Sequence, residues 1–329
     1  MVVDSKLTEK ISLEYTNCNF CNCNEYVSLS QIPDLLLGNL SNKFSFVKCV
    51  QCGLIYQNPR VTQQDILKFY PDSYESYQPM NLNTSWLMGK ILRYGLQKRK
   101  RFVLKYRNNG KLLDIGCATG DFLDEVSNYG KNTKWDLYGI EISKYAAELA
   151  SRKKYLKIFN ATLEECSFPN HFFDVITLWD VLEHLYDPAG SLSEINRILK
   201  PGGLLIFRVP NFNSLDRIIF KSEWAGWDAP RHLYVFSKKN ITAYLNRTGL
   251  SILNLNTNIG SYTTFLLSLR FYLTRRQKLD LNHPSKMISF LYSPLVRILS
   301  APLFYLVSIA GLGSLMVVTA VKEKSKIHD

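Results

Sequence analysis

The residues of this chain that could do chemistry fall into four groups. Lys111 to Asp121, K-L-L-D-I-G-C-A-T-G-D, is a short apolar run that ends in an acid and passes through small residues into a helical pattern. A strand, a tight turn and a helix N-terminus in that order let backbone lie close against a ligand. The next apolar run, D-L-Y-G-I-E, ends in Glu141. A carboxylate there can accept hydrogen bonds from both hydroxyls of a ribose. Cys18-x-x-Cys21 and Cys49-x-x-Cys52 are thiol pairs separated by 27 residues, with Cys23 as an alternative partner. Four such thiolates can close a tetrahedral zinc site, and Gly53 suits the turn after the second pair. Two of the five histidines stand out, His184 in E-H-L and His232 in W-A-G-W-D-A-P-R-H-L-Y-V-F-S. Either could take a proton from a reacting group.

The glycine-rich turn departs from the G-x-G-x-x-G of dinucleotide-binding proteins. Gly116 and Gly120 are its glycines, Ala118 lies between them, and Asp114 precedes the first. An acid at that place repels a pyrophosphate. A ligand that carries an ammonium and a sulfonium tolerates it, so charge tilts the choice away from a dinucleotide.

Positioning these groups calls for a scaffold. Apolar runs predict strands at 111–116, 136–141, 156–160, 174–179, 203–209, 251–257 and 315–321, with helices at about 120–129, 143–154, 188–199 and 237–248. This alternation argues for a mostly parallel sheet covered on both faces. Lys200-Pro201-Gly202-Gly203 is a helix stop ahead of a strand. Three regions follow: a front module at 1–60, a partly helical connector at 61–108, and a main domain at 109–329 with an inserted helical part at about 258–313. In the connector, Leu87, Ile91, Leu92 and Leu96 recur at helical spacing beside the charge run Lys98 to Arg101. That pattern reads as a solvated helix packed on the main domain, with contact to an anionic phosphate or lipid as the alternative.

The chain has 329 residues and a formal net charge of +12, which favours an anionic partner. Its first residues have neither a basic stretch nor a long apolar one, so no export signal is expected and the close cysteine pairs read as metal ligands sooner than as disulfides. From Ile298 to Val321 no residue is charged, but the stretch holds Pro302, Gly311 and Gly313. It is expected to form a buried or interfacial helix followed by a core strand, not a membrane span.

Residues 111–211 resemble a class I S-adenosylmethionine-dependent methyltransferase, of the type grouped with ubiquinone-pathway O-methyltransferases and bacterial sugar methyltransferases. The segments that carry the resemblance are L-L-D-I-G-C-A-T-G-D-F-L, Y-G-I-E-I-S, F-F-D-V-I-T-L-W-D-V-L-E-H-L-Y-D-P and I-L-K-P-G-G-L-L-I-F-R-V-P-N. The resemblance implies an α/β fold with a Rossmann-like seven-stranded sheet. It implies that Asp114, Gly116, Cys117, Ala118 and Gly120 hold the methionine part of the cofactor and Glu141 its ribose. Ala161, Thr162 and Leu163 would flank the adenine, and Asp180 would lie beside the methionyl end or the substrate. Where the family often has a third glycine, this chain has Ala118. Trp179 could pack on the cofactor or simply in the core. The catalytic candidates are His232, His184 and Asp180. The segment around His232 mixes Trp224, Trp227 and Tyr234 with Arg231, which would suit a flat or sugar-like, anionic acceptor.

The front module, K-C-V-Q-C-G-L-I-Y-Q-N-P-R-V-T followed by F-Y-P-D-S-Y, is similar to the zinc-binding front of methyltransferases of bacterial polysaccharide and deoxysugar pathways. The expected cofactors are S-adenosylmethionine and a structural Zn2+ on Cys18, Cys21, Cys49 and Cys52. The expected acceptor is a small molecule, an anionic sugar nucleotide or a lipid-linked glycan, methylated on oxygen before carbon. The expected location is cytoplasmic, with a peripheral contact at the inner face of the membrane. Two other readings compete: an RNA methyltransferase, disfavoured because the positive charge is dispersed, and a non-enzymatic membrane-associated binding protein.

Overall fold

The computed structural model describes residues 11–71, 74, 86–128, 134–257, 261–277 and 290–323. The main sheet has seven strands: β6 (Gly110–Ile115), β7 (Trp135–Ile140), β8 (Leu156–Phe159), β9 (Phe173–Trp179), β10 (Leu199–Pro210), β12 (Leu250–Asn256) and β13 (Leu315–Lys322), ordered β12-β13-β10-β9-β6-β7-β8. β13 runs antiparallel to both neighbours, and the other neighbouring pairs are parallel. The chain order reverses between β6 and β9, so a crevice opens at the carboxyl ends of these strands, where α/β sheets bind ligands.

Strand side chains alternate between two cores. Leu113 and Ile115 of β6, Ile176 and Leu178 of β9, and Leu205 and Phe207 of β10 join one cluster. Leu112, Val175, Leu204 and Ile206 join the other, with Phe122, Leu123 and Val126 of the helix α2 (Asp121–Ser127). Burial on both faces explains why these strands read as continuous apolar runs. Several other helices start at polar caps: Ser143 accepts from Ala146 at the start of α3 (Lys144–Ser151), and Asp187 precedes Pro188 in α4 (Pro188–Ile198). Ser214 caps the short α5 (Leu215–Phe220), and Ser237 and Asn240 form a capping box for α6 (Lys238–Arg247). The expected helix stop falls at Ile198. The strand then begins at once, with an irregularity between Leu199 and Leu204.

The front of the chain adds a two-stranded ladder, β1 (Leu13–Glu14) with β5 (Arg60–Val61), and a four-stranded antiparallel sheet. The latter joins β2 (Tyr26–Asp34), β3 (Asn39–Cys49), β4 (Ile55–Gln57) and β11 (Tyr234–Val235). β11 belongs to the segment that carries His232, so the front sheet and that segment fold as one piece. α1 (Trp86–Leu104) packs on α2. The charge run on α1 is not simply solvated: Arg99 reaches Asp180 at 3.5 Å and Lys100 pairs with Glu125. Leu87, Ile91 and Leu92 have side chains outside the described set. Between β12 and β13 lie α7 (Ser261–Gln277) and α8 (Pro294–Ile309). β13 is a core strand, with Met316, Val317, Val318 and Ala320 buried.

Candidate active site

β6 delivers Asp114, buried at 3% exposure, to the head of the crevice. Thr177 of β9 donates to its Oδ1 at 2.6 Å. Burial pushes the Asp114 pKa up to about 7, against the pull of that hydrogen bond and of Arg99. Gly116 and Cys117 both donate to the Ile140 carbonyl, at 2.8 and 3.0 Å, which fastens the turn to β7. Gly116 has φ +70°, and a Cβ there would sit 2.6 Å from Val181 Cγ2. Only glycine fits both constraints. Ala118 is also left-handed, with φ 48°. The methyl group in the family's glycine position is therefore held in a conformation that costs about 1 kcal/mol or more. Cys117 is buried beneath the turn. α2 begins at Gly120 without a capping side chain, and this leaves N–H groups for another acceptor.

Glu141 follows β7 and is buried at 4% exposure. Its Oε2 accepts from Ala118 N at 2.9 Å and its Oε1 from Ser143 N at 2.8 Å. Burial raises its pKa and these backbone donors oppose the rise. Glu141 thus joins the glycine-rich turn to the start of α3. Asn160, which the sequence did not flag, donates to the carbonyls of Glu141 and Ile142 at 2.8 and 3.1 Å and steadies the same corner. Past β8, Thr162 N donates to Glu165 Oε2 at 2.6 Å, and Leu163 is buried in the core.

Asp180 sits after β9 with φ 60°. Arg208 donates to its Oδ1 at 2.7 Å and pairs with Oδ2, while Arg99 approaches Oδ2 at 3.5 Å. Burial alone would raise its pKa; the two guanidiniums outweigh burial and hold it below the usual carboxylate range. Asp180 is therefore a fixed anion and a poor proton acceptor. Arg99 and Arg208 lie 81 and 28 residues away in sequence, so no local motif announced them. Trp179 packs edge-on against Phe122 at 5.4 Å, and the Arg99 guanidinium lies 5.3 Å from its ring centre.

His184 and His232, 48 positions apart, meet edge to face with ring centres 4.6 Å apart. His184 Nδ1 lies 2.9 Å from the Arg231 carbonyl and 2.9 Å from the Tyr70 hydroxyl. His232 Nδ1 lies 2.9 Å from the Gly226 carbonyl. A carbonyl can only accept, so both Nδ1 atoms carry the hydrogen and both Nε2 atoms hold the lone pair. His232 Nε2 is 3.9 Å from Glu183 Oε1 and 3.8 Å from Asp228 Oδ2. Glu183 is fully buried and neither carboxylate oxygen has a hydrogen-bond partner. Burial, helped by the Asp180 charge, lifts its pKa well above the ordinary value and favours the neutral acid. Burial lowers the pKa of both histidines, that of His184 to about 3 with help from His232. Asp228 is held low: burial acts against ionisation, and Arg231 and His232 outweigh it.

Two readings of the His232 segment need correction. Arg231 is not an open clamp for an anionic acceptor. It is fully buried and bidentate to buried Asp34 at 2.7 and 3.1 Å, and it also donates to Asp228 at 2.7 Å. Trp224, Trp227 and Tyr234 are buried core residues, not an aromatic acceptor platform. The pattern misled because aromatic and apolar positions that close a core look the same in sequence as those that line a site. Gln57 completes the seam, donating to the carbonyls of Pro230 and His232 at 3.0 and 2.6 Å.

At the front, Cys18 and Cys52 sulfurs are 3.4 Å apart and Cys21 and Cys49 sulfurs 3.5 Å apart, and all four lie within 4.8 Å of one another. Cys23 points elsewhere, to the Glu25 carbonyl at 3.7 Å. No disulfide links the described cysteines.

Residues 88–255, just over half of the chain, match a family described as a methyltransferase domain. The chain belongs to the class I S-adenosylmethionine-dependent methyltransferases. Among similar proteins is the ubiquinone/menaquinone biosynthesis C-methyltransferase of Geotalea daltonii, 29% identical over 45% of this chain and 63% of its own length. The demethylmenaquinone methyltransferase of Staphylococcus aureus is 25% identical over 49% of this chain and 69% of its own. Among solved structures, the cyclase SpnF superposes with a TM-score of 0.47 at 20% identity, covering 74% of this methyltransferase and 84% of the cyclase.

Proposed function

We propose that this methyltransferase methylates a hydroxyl of a sugar or glycan precursor bearing a nucleotide or lipid-linked phosphate, with His232 as the base. The observation that carries the base assignment is the convergence of His232, His184 and Glu183 beside the carboxyl end of β9. The strand order and the turn fit S-adenosylmethionine. Gly116 lets the turn take a left-handed backbone packed against Val181, the uncapped start of α2 offers N–H groups, and Asp114 and Glu141 supply two buried carboxylates. Gly116, Cys117, Ala118 and Gly120 would hold the methionine part with Asp114, Glu141 the ribose, and Thr162 and Leu163 would flank the adenine. When bound, the cofactor supplies a methyl group already activated as a sulfonium.

What remains for the chain is to orient the acceptor and remove its proton. His232 accepts that proton at Nε2, because its Nδ1 is committed to Gly226. Asp228, ionised at 3.8 Å, stabilises the imidazolium that results. His184, depressed to about 3, is a poor base and serves to pack against His232. Asp180 keeps Arg99 and Arg208 in place at the strand end.

The four cysteine sulfurs suit a closed structural zinc site, which would pin β3 and β4 and, through β11, the His232 segment. Transfer to carbon is the second reading, favoured because the Geotalea relative is a C-methyltransferase. The test is incubation with methyl-labelled cofactor and a panel of nucleotide sugars and lipid-linked glycans. The carbon chemical shift of the product separates O-methyl from C-methyl. His232→Ala should lower kcat by about 100-fold or more with cofactor affinity unchanged. Full turnover in that variant would remove the base assignment.

A further inference from the structure

The helix α8 carries an apolar face that the described residues leave uncovered. Leu295, Ile298, Leu299, Leu303, Leu306 and Ile309 are between 59% and 71% exposed. Their three- and four-residue spacing aligns them on one side of the helix. Tyr305 lies at the margin, and Phe290 and Tyr292 extend the apolar surface ahead of the helix. The opposite side is the one that packs. Phe304 meets Tyr262 and Phe265 of α7 at 5.2 and 5.5 Å, and the Ser308 carbonyl accepts from Thr257 Oγ1 at 2.7 Å. The helix is thus docked with its apolar face outward, the reverse of an ordinary surface helix. Single exposed leucines are common; an aligned row of them marks a contact surface.

Charge decides what kind of surface meets it. Residues 258–313 hold six Lys and Arg against one acid, Asp280, in a chain of net charge +12. Pairing of two copies through this face would bring together two chains that each carry a formal net charge of +12. Anionic headgroups over acyl chains complement both features at once. No helix among the described residues is long and apolar enough to cross a membrane, so the contact is one of lying in the interface.

We propose that α8 docks the enzyme onto an anionic lipid surface, with its leucine and isoleucine face among the acyl chains. The docking is independent of the identity of the methyl acceptor. The test is sedimentation of the full chain with vesicles of phosphatidylcholine alone, and of phosphatidylcholine and phosphatidylglycerol at roughly three to one. These vesicles contain no acceptor, so binding reports the surface and not the active site. The protein should pellet with the mixed vesicles, at least about tenfold more weakly with the neutral ones, and less as salt is raised. Leu299→Asp and Leu306→Asp should each weaken binding by about tenfold or more, with S-adenosylmethionine titration unchanged as the control on folding. Leu299→Trp, which keeps the face apolar, should bind and have its added emission quenched by brominated lipid. Wild type left in the supernatant with mixed vesicles would overturn the proposal, as would added emission from Leu299→Trp that brominated lipid leaves unquenched. A wild-type dimer that the aspartate variants split, with vesicle binding untouched, would assign the face to a second copy instead.

Discussion

At the scale of single residues, Asp114 sets stability against function. Its folded pKa is raised from 3.8 to about 7, so the folded state holds a proton that the unfolded chain releases. The stabilisation is present below pH 3.8 and is lost as pH rises through 7. His184 works in the opposite direction. Its pKa falls from 6.5 to about 3, so its contribution is present above pH 6.5 and is lost as pH falls toward 3. The two nearly cancel in the wild type, and variants separate them. Asp114→Asn keeps an acceptor for Thr177 without a buried charge. Its stability relative to wild type should climb between about pH 4 and 7 in denaturant titrations, while cofactor affinity drops. A stability difference that stays flat over that range would contradict the buried-acid account. Ala118→Gly should relieve the left-handed backbone at φ 48° and raise stability by up to about 1 kcal/mol, with cofactor affinity retained. A lower melting temperature would show that the alanine is not strained.

At the scale of elements, the main sheet was legible because its strands are buried on both faces and bounded by glycine, proline and polar caps. Each of the seven expected strands and four expected helices lies within a few residues of its observed place. The glycine-rich turn and Glu141 were legible for a related reason: they are local to strand ends. What sequence could not give is partnership over distance. Asp34 and Arg231 meet across 197 positions, and β11 pairs with β4 from opposite parts of the chain. Lack of charge marks the α8 stretch as buried or interfacial, and only the packing of Phe304 reveals which side faces out. The Asp34–Arg231 pair offers a direct check on this long-range seam. Asp34→Ala strands a fully buried guanidinium with Asp228 as its remaining anion. It should cost about 3 kcal/mol in unfolding free energy and reduce turnover, because the His232 segment loses its anchor. A change within about 0.5 kcal/mol would mean that the seam is held by packing alone.

At the scale of the whole molecule, the proposed function gives the front of the chain a supporting part in the chemistry. If zinc on Cys18, Cys21, Cys49 and Cys52 holds the front sheet, then chelation or Cys49→Ser should abolish turnover. The glycine-rich turn, fastened to β7 and α3, should still bind cofactor. Metal analysis should find about one zinc per chain. A second equivalent removed by His232→Ala would place a cation among Glu183, His184 and His232, which a base role does not accommodate. Equal loss of cofactor binding and turnover on chelation would contradict the division of labour.

The proposed reaction requires the turn from Asp114 to Gly120, with Glu141, to be an S-adenosylmethionine site. Calorimetric titration of the zinc-loaded chain with S-adenosylmethionine, beside Glu141→Ala, tests it most directly. The account predicts micromolar binding by the wild type and a loss of about 30-fold in the variant, the equivalent of about 2 kcal/mol for a charged hydrogen-bond acceptor. Folded wild type that binds no cofactor, or a variant that binds as well as wild type, would contradict it.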